Sequence, residues 1–295
     1  MAALQANGLT ITYDTFGQPD GRPLLLIMGL GAQMTLWDEE FCQLLADDGH
    51  YVIRFDNRDV GLSTHFDGVQ VPGLVELAGQ LAAGGEVALP YTLDEMADDA
   101  AGVLDALGIA SAHICGASMG GMIAQTVAIR HPQRVRSLVS IMSTTGDPAL
   151  PPASPEAMEV LTRAPVPDRE GNIAAALEAQ RVIGGKGFPL DEERIRRRAG
   201  RNYDRAFYPE GVARQLAAIV AHGSRVEALR RVKAPALVIH GSDDPLVPPA
   251  AGRATHAALP NAELLMIDGM GHDLPPAVWA PISQAIVHLT EAADG

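Results

Sequence analysis

The chain has 295 residues, 47% of them hydrophobic and 20% charged, and carries a net charge of −14 from 22 basic and 36 acidic side chains. A single core of this length buries most of its apolar surface without a disulfide or metal staple, and the composition is that of a folded globular chain rather than a disordered one. The negative balance disfavours nucleic acid and anionic membrane as partners, because both would repel it.

The first eight residues show no basic region leading into an apolar stretch, so no secretory signal is expected. The apolar runs are strand-sized, too short to span a bilayer, and the expectation is a cytoplasmic enzyme. Residues 9–13 alternate and predict an antiparallel edge strand near the start. Residues 24–28 predict a buried strand ending at Gly29, and 51–55 the next, ending at Asp56. Cys42 and Cys115 lie far apart with no metal-ligand spacing, so both read as reduced, mostly buried thiols. Residues 113–115 lead into Gly116, a helical stretch covers 122–130 and stops near His131-Pro132, and 135–141 is the following strand. From about 144 to about 228 no buried strand is expected: a proline-rich stretch opens the segment and helix-friendly pieces at 173–182 and 190–199 follow. The sheet rhythm resumes at Val232, with strands at 236–240 and 262–267. This pattern predicts an α/β fold, a mostly parallel central sheet flanked by helices. It also predicts a core at 1–143 and 229–295 and a helical lid at 144–228, inserted between sheet strands.

The segment Gly116-Ala117-Ser118-Met119-Gly120 follows a strand and precedes a helix, the setting that a Gly-x-Ser-x-Gly nucleophile turn demands. In so tight a turn, side chains at Gly116 and Gly120 would collide with the neighbouring strand and helix, and the serine must adopt a strained backbone. The Met119 N–H opens the helix, where the dipole favours negative charge developing on a substrate oxygen. A serine hydroxyl needs a base to take its proton and a carboxylate to hold that base. Among nine histidines, His272 in Asp268-Gly-Met-Gly-His272 has the fitting place, a glycine-flanked loop between a strand and the final helix. His131 reads as a helix end, His113 and His240 as strand residues, and His50, His222, His256 and His288 as helical or surface positions. His65 is the strongest rival, since its loop also follows a strand. For the acid, Asp243 and Asp244 both follow the 236–240 strand, with an Asx-turn or helix cap as the structural alternative for either. Asp244 is favoured at the crest of the loop, and Asp147 is a further alternative.

Taken together, three segments resemble the α/β-hydrolase superfamily in its usual order: Leu25-Leu-Ile-Met-Gly-Leu-Gly31, Ser118 in its turn, and the acid and histidine loops. The stretch Phe55-Asp-Asn-Arg-Asp-Val-Gly-Leu-Ser63 is similar to the family's Asp-x-Arg-Gly-x-Gly-x-Ser segment. The resemblance implies an α/β-hydrolase fold, an oxyanion hole made by the backbone N–H groups of Leu30 and Met119, and no metal or cofactor. Two departures stand out: Met28-Gly29 replaces the His-Gly of many members, and Asp59 stands where a glycine usually follows Arg58. The Met-Gly variant, the Asn-Arg-Asp segment and the Gly-Met-Gly-His loop look most like the esterase branch that includes aclacinomycin methylesterase.

These readings converge on a serine esterase acting on a small-molecule carboxylic ester, a methyl ester or lactone among the options. C–C bond hydrolysis, perhydrolysis or acyl transfer on the same triad is the rival within enzymes. A catalytically silent ligand-binding homologue is the rival outside them. Dehalogenase and epoxide hydrolase chemistries usually need a carboxylate where Ser118 stands. Met28, Trp37, Met142 and Met270, with Met34 and Met119, are expected near an apolar acyl pocket. The basic run at 193–201 reads either as a cap face for an anionic substrate or as a helix face pairing with nearby acids. The oligomeric state stays open, a homo-oligomer included.

Overall fold

Eight strands form one sheet in the computed structural model, which describes residues 1–85 and 87–295. They are β1 (Ala2–Ala6), β2 (Leu9–Phe16), β3 (Arg22–Ile27), β4 (His50–Phe55), β5 (Ala112–Ala117), β6 (Val135–Ile141), β7 (Ala236–Gly241) and β8 (Ala262–Ile267). Their spatial order is β1-β2-β4-β3-β5-β6-β7-β8. β2 pairs antiparallel with β1 and with β4, and all other pairings are parallel. Parallel neighbours need crossovers, so helices cover both faces and the inner strands read as continuous apolar runs. In β3, Leu25 and Ile27 pack into one layer and Leu24 and Leu26 into the other, because successive side chains of a strand point to opposite faces.

One expectation needs correction here. The strand read at 9–13 is β2, but it is not the edge, since β1 lies outside it. Asn7 and Gly8 have φ values of 49° and 77°, both positive as a two-residue type I′ hairpin loop requires. That Asn-Gly pair was the legible signal; Ala2–Ala6 lacks the β-branched residues that usually mark a strand.

Helices α1 (Glu39–Asp47), α2 (Leu74–Ala82), α3 (Leu93–Ala106) and α4 (Met119–Arg130) precede β6. Between β6 and β7 lie α5 (Pro155–Thr162), α6 (Arg169–Ile183), α7 (Glu192–Arg205), α8 (Pro209–His222) and α9 (Val226–Leu229), with no strand among the described residues. α10 (Pro249–Ala258) and α11 (Trp279–Asp294) complete the chain. α3 and α4 pack on the face that holds Leu25, Ile53, Ile114 and Leu138, whereas α1 and α11 cover Leu24, Leu26, Val139 and Ile239. No described helix is long and apolar enough to cross a membrane.

Buried charge ties the inserted helices to the sheet. Arg205 of α7 lies 2.6 Å from Asp56, and Arg214 of α8 lies 2.8 Å from Asp59, both carboxylates being fully buried. Burial would push the Asp59 carboxyl up, but Arg214, the Tyr91 hydroxyl and the Phe66 N–H together bring it below its ordinary value. Asp59 stands at φ 65°, the left-handed conformation that suits the glycine usual at this place. The basic run on α7 docks in the same way: Arg194 and Arg198 share Asp38, and Arg201 pairs with Glu39 at 2.9 Å. At those three arginines, pairing with neighbouring acids is what the fold displays.

Candidate active site

β5 ends at Ala117 and α4 begins at Met119 rather than at Met122, so a single residue turns the chain. Ser118 does so at φ 57°, ψ −121°. A left-handed backbone costs a non-glycine residue about 1–3 kcal/mol and persists only where its surroundings hold it. Here the Ser118 N–H donates to Ile141 O at 2.9 Å, and Ser143 Oγ donates to Ser118 O at 2.8 Å. A Cβ on Gly116 would sit 2.0 Å from Gly120 O, and one on Gly120 2.0 Å from Ile27 O. Neither position has room for a side chain.

His272 lies in the loop between β8 and α11, and Asp244 in the loop after β7. His272 Nε2 is 3.0 Å from Ser118 Oγ, and its Nδ1 is 2.8 Å from Asp244 Oδ2. The other carboxylate oxygen, Oδ1, accepts the N–H groups of Leu246 and Val247 at 2.9 and 2.8 Å. Shaping the loop and meeting the imidazole therefore fall to different oxygens of one side chain. Asp243 faces elsewhere: its carboxylate accepts from Ser242 Oγ at 3.0 Å. His65 stacks on Tyr208 with ring centroids 3.8 Å apart and bonds the Gly61 carbonyl, which leaves it out of this line. His50, read from sequence as a helical or surface position, is instead the fully buried first residue of β4.

The loop after β3 carries the second feature. Asn57 Nδ2 donates to Met28 O at 2.9 Å, Gly31 N–H donates to Gln215 Oε1 at 2.8 Å, and Ala32 N–H donates to Gly29 O at 3.2 Å. With those neighbours occupied, the N–H groups of Leu30 and Met119 keep no hydrogen-bond partner among the described residues. Met119 opens α4 directly after Ser118, Leu30 lies in the loop after β3, and a Cβ on Gly29 in that loop would lie 3.1 Å from that of Ser118. Gln215 also donates to Arg58 O at 2.8 Å, so α8 braces this loop against the Asn57-Arg58 segment. Sequence reading missed Asn57 and Gln215, whose signal is geometric.

A cavity of about 480 Å³ opens between the loop after β3 and the inserted helices. Leu30 and Gly31 form its floor, with Leu161 of α5, Ala179 of α6, and Tyr203 and Tyr208 among its walls. The residues expected near an acyl pocket do not line this cavity, and neither do Ser118 and His272. Met28, Trp37, Met142 and Met270 all sit in the packed core cluster on the α1–α11 side, Trp37 stacking on Phe41 at 5.9 Å. Methionines at strand ends were absorbed by packing, and the lining comes instead from the insertion. Cys42 and Cys115 are free and buried, with burial pushing the Cys42 thiol up to about 12. Among the described residues, no group of three or more His, Cys, Asp or Glu side chains is arranged to hold a metal ion.

A mostly parallel sheet, a serine in a strained strand–helix turn and a histidine–carboxylate pair on later loops together define a class. The chain belongs to the α/β-hydrolase fold family, whose model matches residues 22–275, and it is a hydrolase. It is 31% identical to rhodomycin D methylesterase DauP of Streptomyces sp. (strain C5), over 97% of this chain and 96% of that protein. It is also 34% identical, over 58% of this chain and 59% of the relative, to a 2-hydroxy-6-oxononadienedioate/2-hydroxy-6-oxononatrienedioate hydrolase of Cupriavidus pinatubonensis. Among solved structures, the meta-cleavage product hydrolase CumD of Pseudomonas fluorescens superposes with a TM-score of 0.79 over 99% of this chain and 98% of that one, at 20% identity. That likeness is one of fold.

Proposed function

We propose that this chain hydrolyses carboxylic esters through an acyl-enzyme on Ser118. The observation that carries the reading is the continuous line from Ser118 Oγ through the His272 ring to Asp244, at 3.0 and 2.8 Å, beside two backbone N–H groups without partners among the described residues. As Ser118 Oγ bonds to the ester carbonyl carbon, its proton passes to His272 Nε2. The carbonyl oxygen becomes an oxyanion that accepts the N–H groups of Leu30 and Met119. Collapse of this intermediate breaks the bond to the alcohol oxygen, which leaves with the proton held by His272. Water then attacks the acyl-enzyme, with His272 again the base, and releases the acid. Asp244 orients the ring and stabilises its cationic form throughout.

The methylesterase relative supports a methyl ester as substrate, with a small alcohol leaving. The cavity of about 480 Å³, which reaches Leu30 but is not lined by Ser118 or His272, supports a bulky acid portion only through its opening beside Leu30. Ser118→Ala is expected to lower kcat by roughly 10⁵–10⁶-fold on a p-nitrophenyl ester while the thermal melt stays that of the parent. Turnover at the parental rate in that variant would end the assignment. The Cupriavidus relative favours a second reading, C–C bond hydrolysis on the same residues. Assay of both substrate classes separates the two. Labelling of Ser118 by a fluorophosphonate separates either from a silent ligand-binding protein.

A further inference from the structure

The insertion does more than roof the cavity. The last turn of α6 and the segment after it lie directly against the loop that carries His272. The His272 N–H donates to Ile183 O at 2.7 Å, and the Gly187 N–H donates to Gly269 O at 3.0 Å. Asp273, next to the imidazole in sequence, accepts the Gly185 N–H at 3.3 Å on one oxygen and Gln180 Nε2 at 2.9 Å on the other. Four hydrogen bonds from one stretch of the insertion thus bracket residues 269–273.

The two segments meet backbone to backbone. A Cβ on Gly185 would sit 2.0 Å from Gly269 O and 2.4 Å from Gly271 N, and one on Gly271 would sit 2.2 Å from Gly185 N. A Cβ on Gly187 would sit 2.6 Å from Gly269 Cα. At Gly185, Gly187 and Gly271 the nearest atoms across the contact are backbone, so a shift of one segment is passed to the other. The imidazole must meet Ser118 and Asp244 together, and a displacement near 1 Å costs about 100-fold in such a geometry.

We propose that residues 183–187 of the insertion are a positioning element for His272, with Gln180 and Asp273 as its fastening pair. The inference rests on the reading of His272 as the base. It makes this part of the insertion a fixed wall of the catalytic loop, and it predicts that changes at residues 183–187, Gln180 or Asp273 appear in kcat rather than in KM.

The test uses the full chain, steady-state hydrolysis of a p-nitrophenyl ester and the rate of fluorophosphonate labelling of Ser118. Gly185→Ala is expected to lower kcat about 100-fold, with KM within a factor of a few and labelling slowed in proportion. Because that variant has to shift backbone, Gln180→Ala, Asp273→Ala and the double variant form an independent arm. Each single change is expected to lower kcat about tenfold, and the double variant to lose little more than either, as a shared fastening requires. Glu170→Gln, on the exposed face of α6, is the control and leaves kcat unchanged. Parental labelling rates in the folded Gln180 and Asp273 variants would overturn the proposal, as would losses confined to KM. If the parent itself fails to label at Ser118, the catalytic reading has failed rather than the positioning one.

Discussion

Two adjacent aspartates, chemically identical, have opposite environments. Asp244 is buried, gives one oxygen to the loop and turns the other to His272, whereas the exposed Asp243 accepts from a neighbouring serine. Charge beside the imidazole matters only where it is aligned with Nδ1 and shielded from water. Asp244→Asn is therefore expected to reduce kcat by about 10⁴-fold, because the amide favours the wrong ring tautomer. Asp243→Asn should stay within a factor of a few of the parent in the same steady-state assay. Equal losses in the two variants would remove Asp244 from the mechanism.

For whole elements, the sheet and the inserted helices are joined by ionic contacts that no single helix would display alone. Asp59 is held at φ 65° with its carboxylate enclosed by Arg214, Tyr91 and Phe66. Arg214→Met would leave that carboxylate buried without its cation, at an expected cost of about 3–5 kcal/mol in urea unfolding. The double variant Asp59→Gly, Arg214→Met should recover part of this loss, since glycine relieves the backbone and removes the stranded charge. A double variant less stable than Arg214→Met would show that the pair stabilises through something other than compensation of charge.

Across the molecule, two buried histidines make stability depend on pH. His50 on β4 and His113 on β5 face each other edge to face at 6.4 Å. Leu45 O, Thr290 and Arg22 surround the first; Ser137, Asp294 and Arg136 surround the second. Burial pushes His113 down to about 4, with Asp294 opposing it only in part, and burial also lowers His50. A depressed folded value means that the unfolded chain binds the proton first. The stability linked to these rings is thus complete above their ordinary value of about 6.5 and is lost as pH falls below it, for His113 toward 4. For His113 the loss across that window is roughly 2–3 kcal/mol. The melting temperature should fall between pH 7 and 4.5, and His113→Gln should flatten that slope. An unchanged slope in the variant would place the acid sensitivity elsewhere.

The sequence by itself determined what depends on near neighbours in the chain. The apolar runs that became β3 to β8, the strandless stretch between β6 and β7, and the Gly-x-Ser-x-Gly turn were all legible, because periodicity and steric crowding act over a few residues. Asn7-Gly8 belonged to the same legible set and went unread, so the edge strand was misplaced. Only the tertiary structure decided which aspartate meets His272, which walls enclose the cavity, and that Asn57 and Gln215 hold the loop around Leu30. It also buried His50, and it packed Met28, Trp37, Met142 and Met270 into the core. Those outcomes turn on distances between segments well apart in the chain, from 28 residues between Asp244 and His272 to 184 between Gly31 and Gln215. Local pattern carries no measure of such distances, because they are set by how two layers of helices and an insertion pack on one sheet.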